Sequence, residues 1–169
     1  MKYVLAIDPG TTMSGVCLVE SETCRPLFSD KLENACIRGR MVRELGERGI
    51  SARDVEVVIE RMQGNSMPVG SEVFLSCEWI GRFDIFFREI TGNVTRYVFR
   101  RDEYRAICSN LYSHNDKGIR TALAERFAYG EKNYGKGTKK EPGWFYGFAA
   151  DAWSAYAIAV TFLDLTRGL

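Results

Sequence analysis

The chain has 169 residues, 46% of them hydrophobic and 27% charged, with a formal net charge of +1. That length is enough for one full core, so a single domain over 1–169 is expected, with the composition of a soluble globular protein. No run approaches the ~20 apolar residues of a bilayer crossing, and no basic segment with an apolar block and cleavage site is evident at the start, so no membrane-spanning helix and a cytoplasmic location are expected. Five cysteines (Cys17, Cys24, Cys36, Cys77, Cys108) without a Cys-x-x-Cys pair argue against a disulfide framework and a structural zinc site, and for a reducing compartment.

In chain order, residues 2–8 read as a buried strand that ends in Asp8 and is followed at once by the turn Pro9-Gly10-Thr11-Thr12. Residues 12–20 alternate as a second strand, and a turn with Pro26 leads to a third over 27–32, giving an antiparallel meander. Ile37, Met41, Val42 and Leu45 have helical spacing over 36–48, ended near Gly49. Residues 54–62 are short and β-branched, as a parallel strand is, and carry Glu60 near their end. A loop over 64–68 precedes a long helix over 71–90, with Val73, Cys77, Ile80, Phe83, Phe87 and Ile90 at three- and four-residue steps. A strand over 93–99, helices near 102–109 and 116–128, a Gly- and Lys-rich mobile loop over 130–143 and a final helix over 148–165 complete an α/β domain with a mixed sheet.

Three acids stand at the ends of these elements: Asp8 and Glu60 close strands, and Asp151 lies in the first turn of the last helix. If the two strands are neighbours, their carboxylates meet, and a helix across the strand ends adds the third. Three hard oxygen donors suit Mg²⁺ or Mn²⁺, and such ions activate water for phosphodiester attack. The competing reading is bland: Asp8 caps a turn, Glu60 makes a surface pair, and Asp151 is a helix-start acid favoured by the dipole.

Four segments occur in an order and spacing that resemble the RuvC-type Holliday-junction resolvases of the RNase H-like superfamily, in particular their divergent phage members. They are Ala6-Ile7-Asp8-Pro9-Gly10-Thr11, Val57-Val58-Ile59-Glu60, Asn115-Asp116-Lys117 and Ala150-Asp151-Ala152-Trp153-Ser154-Ala155-Tyr156-Ala157-Ile158-Ala159, and they span nearly the whole chain. The resemblance implies an RNase H-like mixed five-stranded sheet flanked by helices. It implies a homodimeric, Mg²⁺-dependent endonuclease, with Mn²⁺ as a substitute, that nicks two strands of a four-way DNA junction symmetrically. Asp8, Glu60 and Asp151 would be the metal ligands, with Lys117 first and Arg105 after it as the basic residues near the scissile phosphate.

Two positions depart from that family. Its last helix usually carries two acidic or histidine positions one turn apart; here the second is Ser154. Asp164 lies about 20 Å further along the helix at ~1.5 Å per residue and cannot replace it. Ser154 is thus expected to act only through water or another side chain, which leaves open a weakened metal site, or a protein that binds junctions without cutting them. Bacterial members often place an aromatic wedge three residues after the glutamate, where this chain has Gln63; Met62, Met67 or the loop itself are the local substitutes.

Lys132, Lys136, Lys139 and Lys140 crowd one glycine-rich segment and form the best candidate DNA contact, weighed against a merely solvated loop. Arg100, Arg101, Arg105, Lys117 and Arg120 could form a second basic surface, or be ordinary helix charges paired with Asp102, Glu103 and Asp116. His114, the only histidine, reads as an exposed loop residue. Phe74 and Phe86 lie outside the main apolar stripe of the long helix, which points to a two-fold interface. The Asp8-Pro9-Gly10-Thr11-Thr12 turn also invites a phosphate-cradle reading. An actin-like ATPase or kinase shares the Asp-x-Gly-Thr motif but needs two such domains around a cleft.

Overall fold

The computed structural model describes residues 2–63, 70–108 and 111–168. The predicted loop over 64–68, Met67 within it, and the end of the predicted helix at 109 lie outside the described residues. Strands β1 (Tyr3–Asp8), β2 (Met13–Glu20) and β3 (Pro26–Glu33) form the expected meander. Helix α1 (Asn34–Glu47) follows, then a 3₁₀ turn (Ala52–Asp54), strand β4 (Val55–Glu60), helix α2 (Ser71–Thr91) and strand β5 (Arg96–Val98). Helix α3 (Arg100–Glu103) runs into a π-helical stretch (Tyr104–Cys108). Helix α4 (Asp116–Phe127), a second 3₁₀ turn (Lys132–Gly135) and helix α5 (Ala150–Arg167) close the chain.

The sheet has five strands in the order β3-β2-β1-β4-β5. The first three pair antiparallel and β4 and β5 join parallel, which is the expected mixed α/β sheet flanked by helices. Both faces are covered, so β1 and β4 read as near-continuous apolar runs rather than alternating ones. Side chains nevertheless alternate between two cores. Leu5, Ile7, Val16, Leu18, Val57 and Ile59 face α1 and α2, meeting Ile37, Met41, Phe83 and Phe87. Val4, Ala6, Cys17, Val19 and Val58 face α4 and α5, meeting Leu123, Ala155, Tyr156 and Ile158.

Several boundaries differ from expectation, each for a local reason. The strand predicted over 93–99 shortens to Arg96–Val98 because Asn93 uses its side-chain amide to donate to Val55 O at 3.0 Å. α5 begins at Ala150 rather than 148, since Phe148 is committed to an aromatic cluster with Phe145, Trp153 and Tyr156. That cluster sets the rotation of α5, and the Tyr156 hydroxyl donates to Cys24 O at 2.9 Å while accepting from Trp144 Nε1. Arg126 locks α4 to α5 through a forked pair with Asp164 at 2.6 and 2.8 Å. The loop expected to be mobile over 130–143 is tied to itself: Gly137 bridges Pro142, Thr138 N donates to Glu141 O, and Phe145 N to Gly135 O.

The start of α5 lies directly on β2. A Cβ at Gly15 would stand 2.4 Å from the carbonyl oxygen of Asp151, a backbone atom that cannot swing away. Gly15→Ala should therefore destabilise the fold by about 1–3 kcal/mol through overpacking. Gly39→Ala, inside α1 with open space around it, should stabilise by about 0.5–1 kcal/mol. Urea denaturation of the two variants checks this contrast; equal midpoints would contradict it.

Candidate functional site

Asp8 follows Val4 and Ala6 at two-residue steps, and Glu60 follows Val58, so both carboxyls face α5. β1 and β4 pair parallel, with Ile7 opposite Ile59. The next step along both strands brings Asp8 and Glu60 together, and the two carboxyls hydrogen-bond to each other. Burial pushes Asp8 above its usual range, opposed by the hydrogen bond from Glu60 and by Arg100, and helped by Asp151. Burial, followed by the charge of Asp8, pushes Glu60 from 4.5 up to about 8. The hydrogen bond lowers Asp8 and raises Glu60, so Glu60 is the member of the pair that favours the proton.

The turn after Asp8 is braced by a buried polar triangle. Gly10 N donates to Ser14 Oγ at 3.1 Å, Ser14 Oγ donates to Asn34 Oδ1 at 2.6 Å, and Asn34 Nδ2 returns to Gly10 O at 3.0 Å. Ser14 and Asn34 are buried, so the bonds hold the turn in a low-dielectric setting. Because the Gly10 N–H is already engaged, it is not open to cradle a phosphate, which weakens that reading of the turn.

Asp151 enters from α5 over Gly15 and forms an ion pair with Lys31 of β3, Nζ to Oδ2 2.7 Å. Asp8, Asp151, Lys31 and the 9–13 turn line an open cavity of about 320 Å³. Ser154, one turn along α5, hydrogen-bonds to Asp8, so its hydroxyl acts through that carboxyl.

On the other side of the pair stands Arg100. It donates to Glu103 Oε2 at 2.8 Å, contacts Asp116, and its charge reaches Asp8 and Glu60. Glu103 is fully buried, with Oε1 lacking a hydrogen-bond partner among the described residues. Burial, opposed by Arg100 and reinforced by Glu60 and Asp8, pushes it up to about 9. Arg100 is thus a built-in countercharge for a cluster of acids, not a member of an exposed basic surface.

The other candidates divide. Arg120 sits in a small cleft with Arg100, Asp151 and Ser154, its guanidinium over Tyr134 at 5.7 Å and Trp153 at 5.9 Å. Tyr134 packs edge-on against Trp153, which holds the lysine-rich segment beside α5. Lys132, Lys139 and Lys140 are exposed and Lys136 is half-buried. Lys117 is exposed at the start of α4, beside Asp116, and Arg105 is exposed on the π-helical stretch. Asn115 has a structural task, capping α4 by accepting from Gly118 N at 2.9 Å. His114 stacks on Tyr104 at 5.5 Å. Met62 packs against the α1–α2 core, whereas Gln63 is exposed. Lys31 and Glu103 are the site residues that sequence reasoning passed over. Neither lies in a motif, and only the strand register and the orientation of α3 bring them in.

The donor set fits a divalent cation. Two half-buried carboxyls that repel each other are relieved either by a proton or by a metal ion, and their oxygens are hard donors. No three acid, histidine or cysteine side chains among the described residues are gathered into a ready cage. Mg²⁺ does not need one, since it commonly keeps several waters and uses one or two carboxylates.

No family profile matches the chain, and no curated protein matches it in sequence. Solved structures do. RuvC of Thermus thermophilus in complex with a Holliday junction superposes with a TM-score of 0.67 at 15% identity, covering 98% of this chain and 96% of that one. A second Thermus thermophilus RuvC structure gives 0.64 at 16% identity, with the same coverage of both chains. The chain therefore has the RuvC-like form of the RNase H-like fold. No described helix is long and apolar enough to cross a membrane.

The raised Glu60 acid has a consequence for stability. Between pH 4.5 and about 8 the folded chain keeps a proton on Glu60 that the unfolded chain has released. Folding binds the extra proton, so this group's contribution to stability falls as pH rises through that window. In EDTA, Glu60→Gln should lose less stability than wild type between pH 5 and pH 8. Thermal melts across that range test it, and parallel curves for the two proteins would reject a shared proton.

Proposed function

We propose that this chain is a divalent-metal-dependent endodeoxyribonuclease that resolves four-way DNA junctions by paired nicking, working as a homodimer. The observation that carries the reading is the half-buried Asp8–Glu60 carboxyl pair, whose Asp8 lines a cavity together with Asp151. The fold supports it, since a protein of the same fold has been captured on a Holliday junction. Exposed apolar residues Phe74, Leu75 and Ile85 on α2 are compatible with a partner copy.

Asp8, Glu60 and Asp151 would hold Mg²⁺, with Mn²⁺ as a substitute; when bound, the ion supplies an activated water and charge neutralisation at the phosphodiester. Glu60 must give up its proton for this, and Arg100 favours that loss by stabilising the carboxylate. Ser154 orients Asp8 through its hydroxyl, and the Ser14–Asn34–Gly10 triangle fixes the turn that follows it. Arg120, held against Tyr134 and Trp153, would take a backbone phosphate beside the cleavage point. Lys117 and Arg105 would contribute charge along the same approach, and Lys132, Lys136, Lys139 and Lys140 would follow the DNA backbone away from it.

One observation favours a second reading. A serine occupies the position of a fourth ligand, and Lys31 engages Asp151, so the protein could bind junctions without turnover. A Ser154→Asp variant that cuts where the wild type only binds would select that reading.

With Mg²⁺, the wild type should nick a synthetic four-way junction and spare linear duplex. Asp8→Asn should lower the rate by more than about 100-fold, beyond the loss of an outer partner. Equal cleavage by the two proteins would remove Asp8 from the chemistry. Replacing the four loop lysines with alanine should reduce the slope of log affinity against log salt by about 3–4, if all four touch phosphates. An unchanged slope would leave them as solvated charges.

A further inference from the structure

Lys31 lies opposite Gly15 in the β2–β3 register, and Gly15 lies opposite Asp8 in the β1–β2 register. Cross-strand partners point the same way, so Lys31, Gly15 and Asp8 form a row on the face that α5 covers. At ~4.8 Å per strand, Lys31 and Asp8 are roughly 10 Å apart along that row. The residue between them has no side chain, and the Asp151 backbone packs closely against it, leaving the two ends of the row open. The row is therefore a shallow trough with a carboxyl at one end, an ammonium at the other and Asp151 above it. Lys31 is part of the cavity wall, facing the turn that follows Asp8.

The Lys31–Asp151 pair is half in water, with side-chain exposures of 47% and 35%. Pairs of this kind are weak and exchange readily. An ammonium and a divalent cation also compete for one carboxylate oxygen, and the divalent ion carries twice the charge. A lysine released from Asp151 stays in the trough, on a flexible four-carbon stem with three donors. Its ammonium then needs an anion. If a phosphodiester enters the cavity beside Asp8, as the nuclease reading requires, the anion within reach is a phosphate oxygen.

We infer that Lys31 is a phosphate-contacting residue of this site, which trades Asp151 for a backbone phosphate of the bound DNA as the divalent cation takes Asp151. This rests on the nuclease reading above and adds to it a residue outside the motifs, on the strand at the edge of the sheet. The trade also makes metal loading and DNA engagement favour each other, because each removes a competitor of the other.

The test uses the full chain as wild type, Lys31→Met and Lys31→Arg. Mg²⁺ is titrated by calorimetry without DNA, and a synthetic four-way junction is titrated in Ca²⁺ over a range of salt concentrations. Lys31→Met should bind Mg²⁺ up to about fivefold more tightly, having lost the competing ammonium. Its salt slope for junction binding should be shallower by about 1, while Lys31→Arg keeps the wild-type slope. An unchanged Mg²⁺ affinity, or an unchanged slope in Lys31→Met, overturns the proposal and leaves the nuclease reading intact. A wild type that binds no junction overturns the nuclease reading itself, and the role of Lys31 with it.

Discussion

The parallel pairing of β1 with β4 sets Asp8 and Glu60 at the same end of the same face of the sheet, and the repulsion between these two half-buried carboxyls organises the region around them. A single proton held on Glu60 reduces it in one way, and Arg100 in another. Arg100 is itself held by Glu103 and Asp116, so an isolated guanidinium is never exposed to the interior. The result is a cluster of like charges stabilised by one fixed cation and one movable proton. Such a cluster carries a charge repulsion that a divalent ion in place of the proton would relieve.

Around the pair, rigidity comes from secondary structure and from small residues. β1 and β4 are buried on both faces, so their ends move only with the whole sheet. The turn after Asp8 is locked by the Ser14–Asn34–Gly10 triangle, which links β1, β2 and the first residue of α1. α5 approaches closely because its inner face is rich in alanine and because Gly15 leaves room for the Asp151 backbone. The aromatic cluster of Phe145, Phe148, Trp153 and Tyr156 sets how α5 is rotated, and thereby where Asp151 and Ser154 point.

Much of this was legible in the amino-acid order. A run such as Val4-Leu5-Ala6-Ile7 can only be a buried strand, and an acid followed by Pro-Gly at its end is held by the sheet. Val57-Val58-Ile59-Glu60 is a second apolar run closed by an acid, and the neighbourhood of the two acids then follows from parallel pairing. Lys31 could not be found this way. It lies in a half-exposed outer strand, where a lysine is commonplace, and acquires meaning only through a register that spans three strands. Glu103 looked like an ordinary exposed helix acid, because its burial depends on how a four-residue helix is turned against α5. α5 starts at Ala150, two residues later than its apolar pattern suggests, because Phe148 packs into the core through a turn rather than through a helical face. The 130–143 segment, rich in glycine and lysine, has the composition of a free loop, yet backbone hydrogen bonds between distant members of the segment tie it down, and composition does not encode those.

The order in which the site's parts appear along the chain has a further meaning. β1 and β4 are made early, but their α5-facing side stays uncovered until the last helix folds back across β1 and β2. During synthesis the first two acids therefore exist for some time without the third, on a sheet with one bare apolar face. The three acids thus come together only when α5 docks, so the arrangement of Asp8, Glu60 and Asp151 belongs to the finished fold and to no local segment of it.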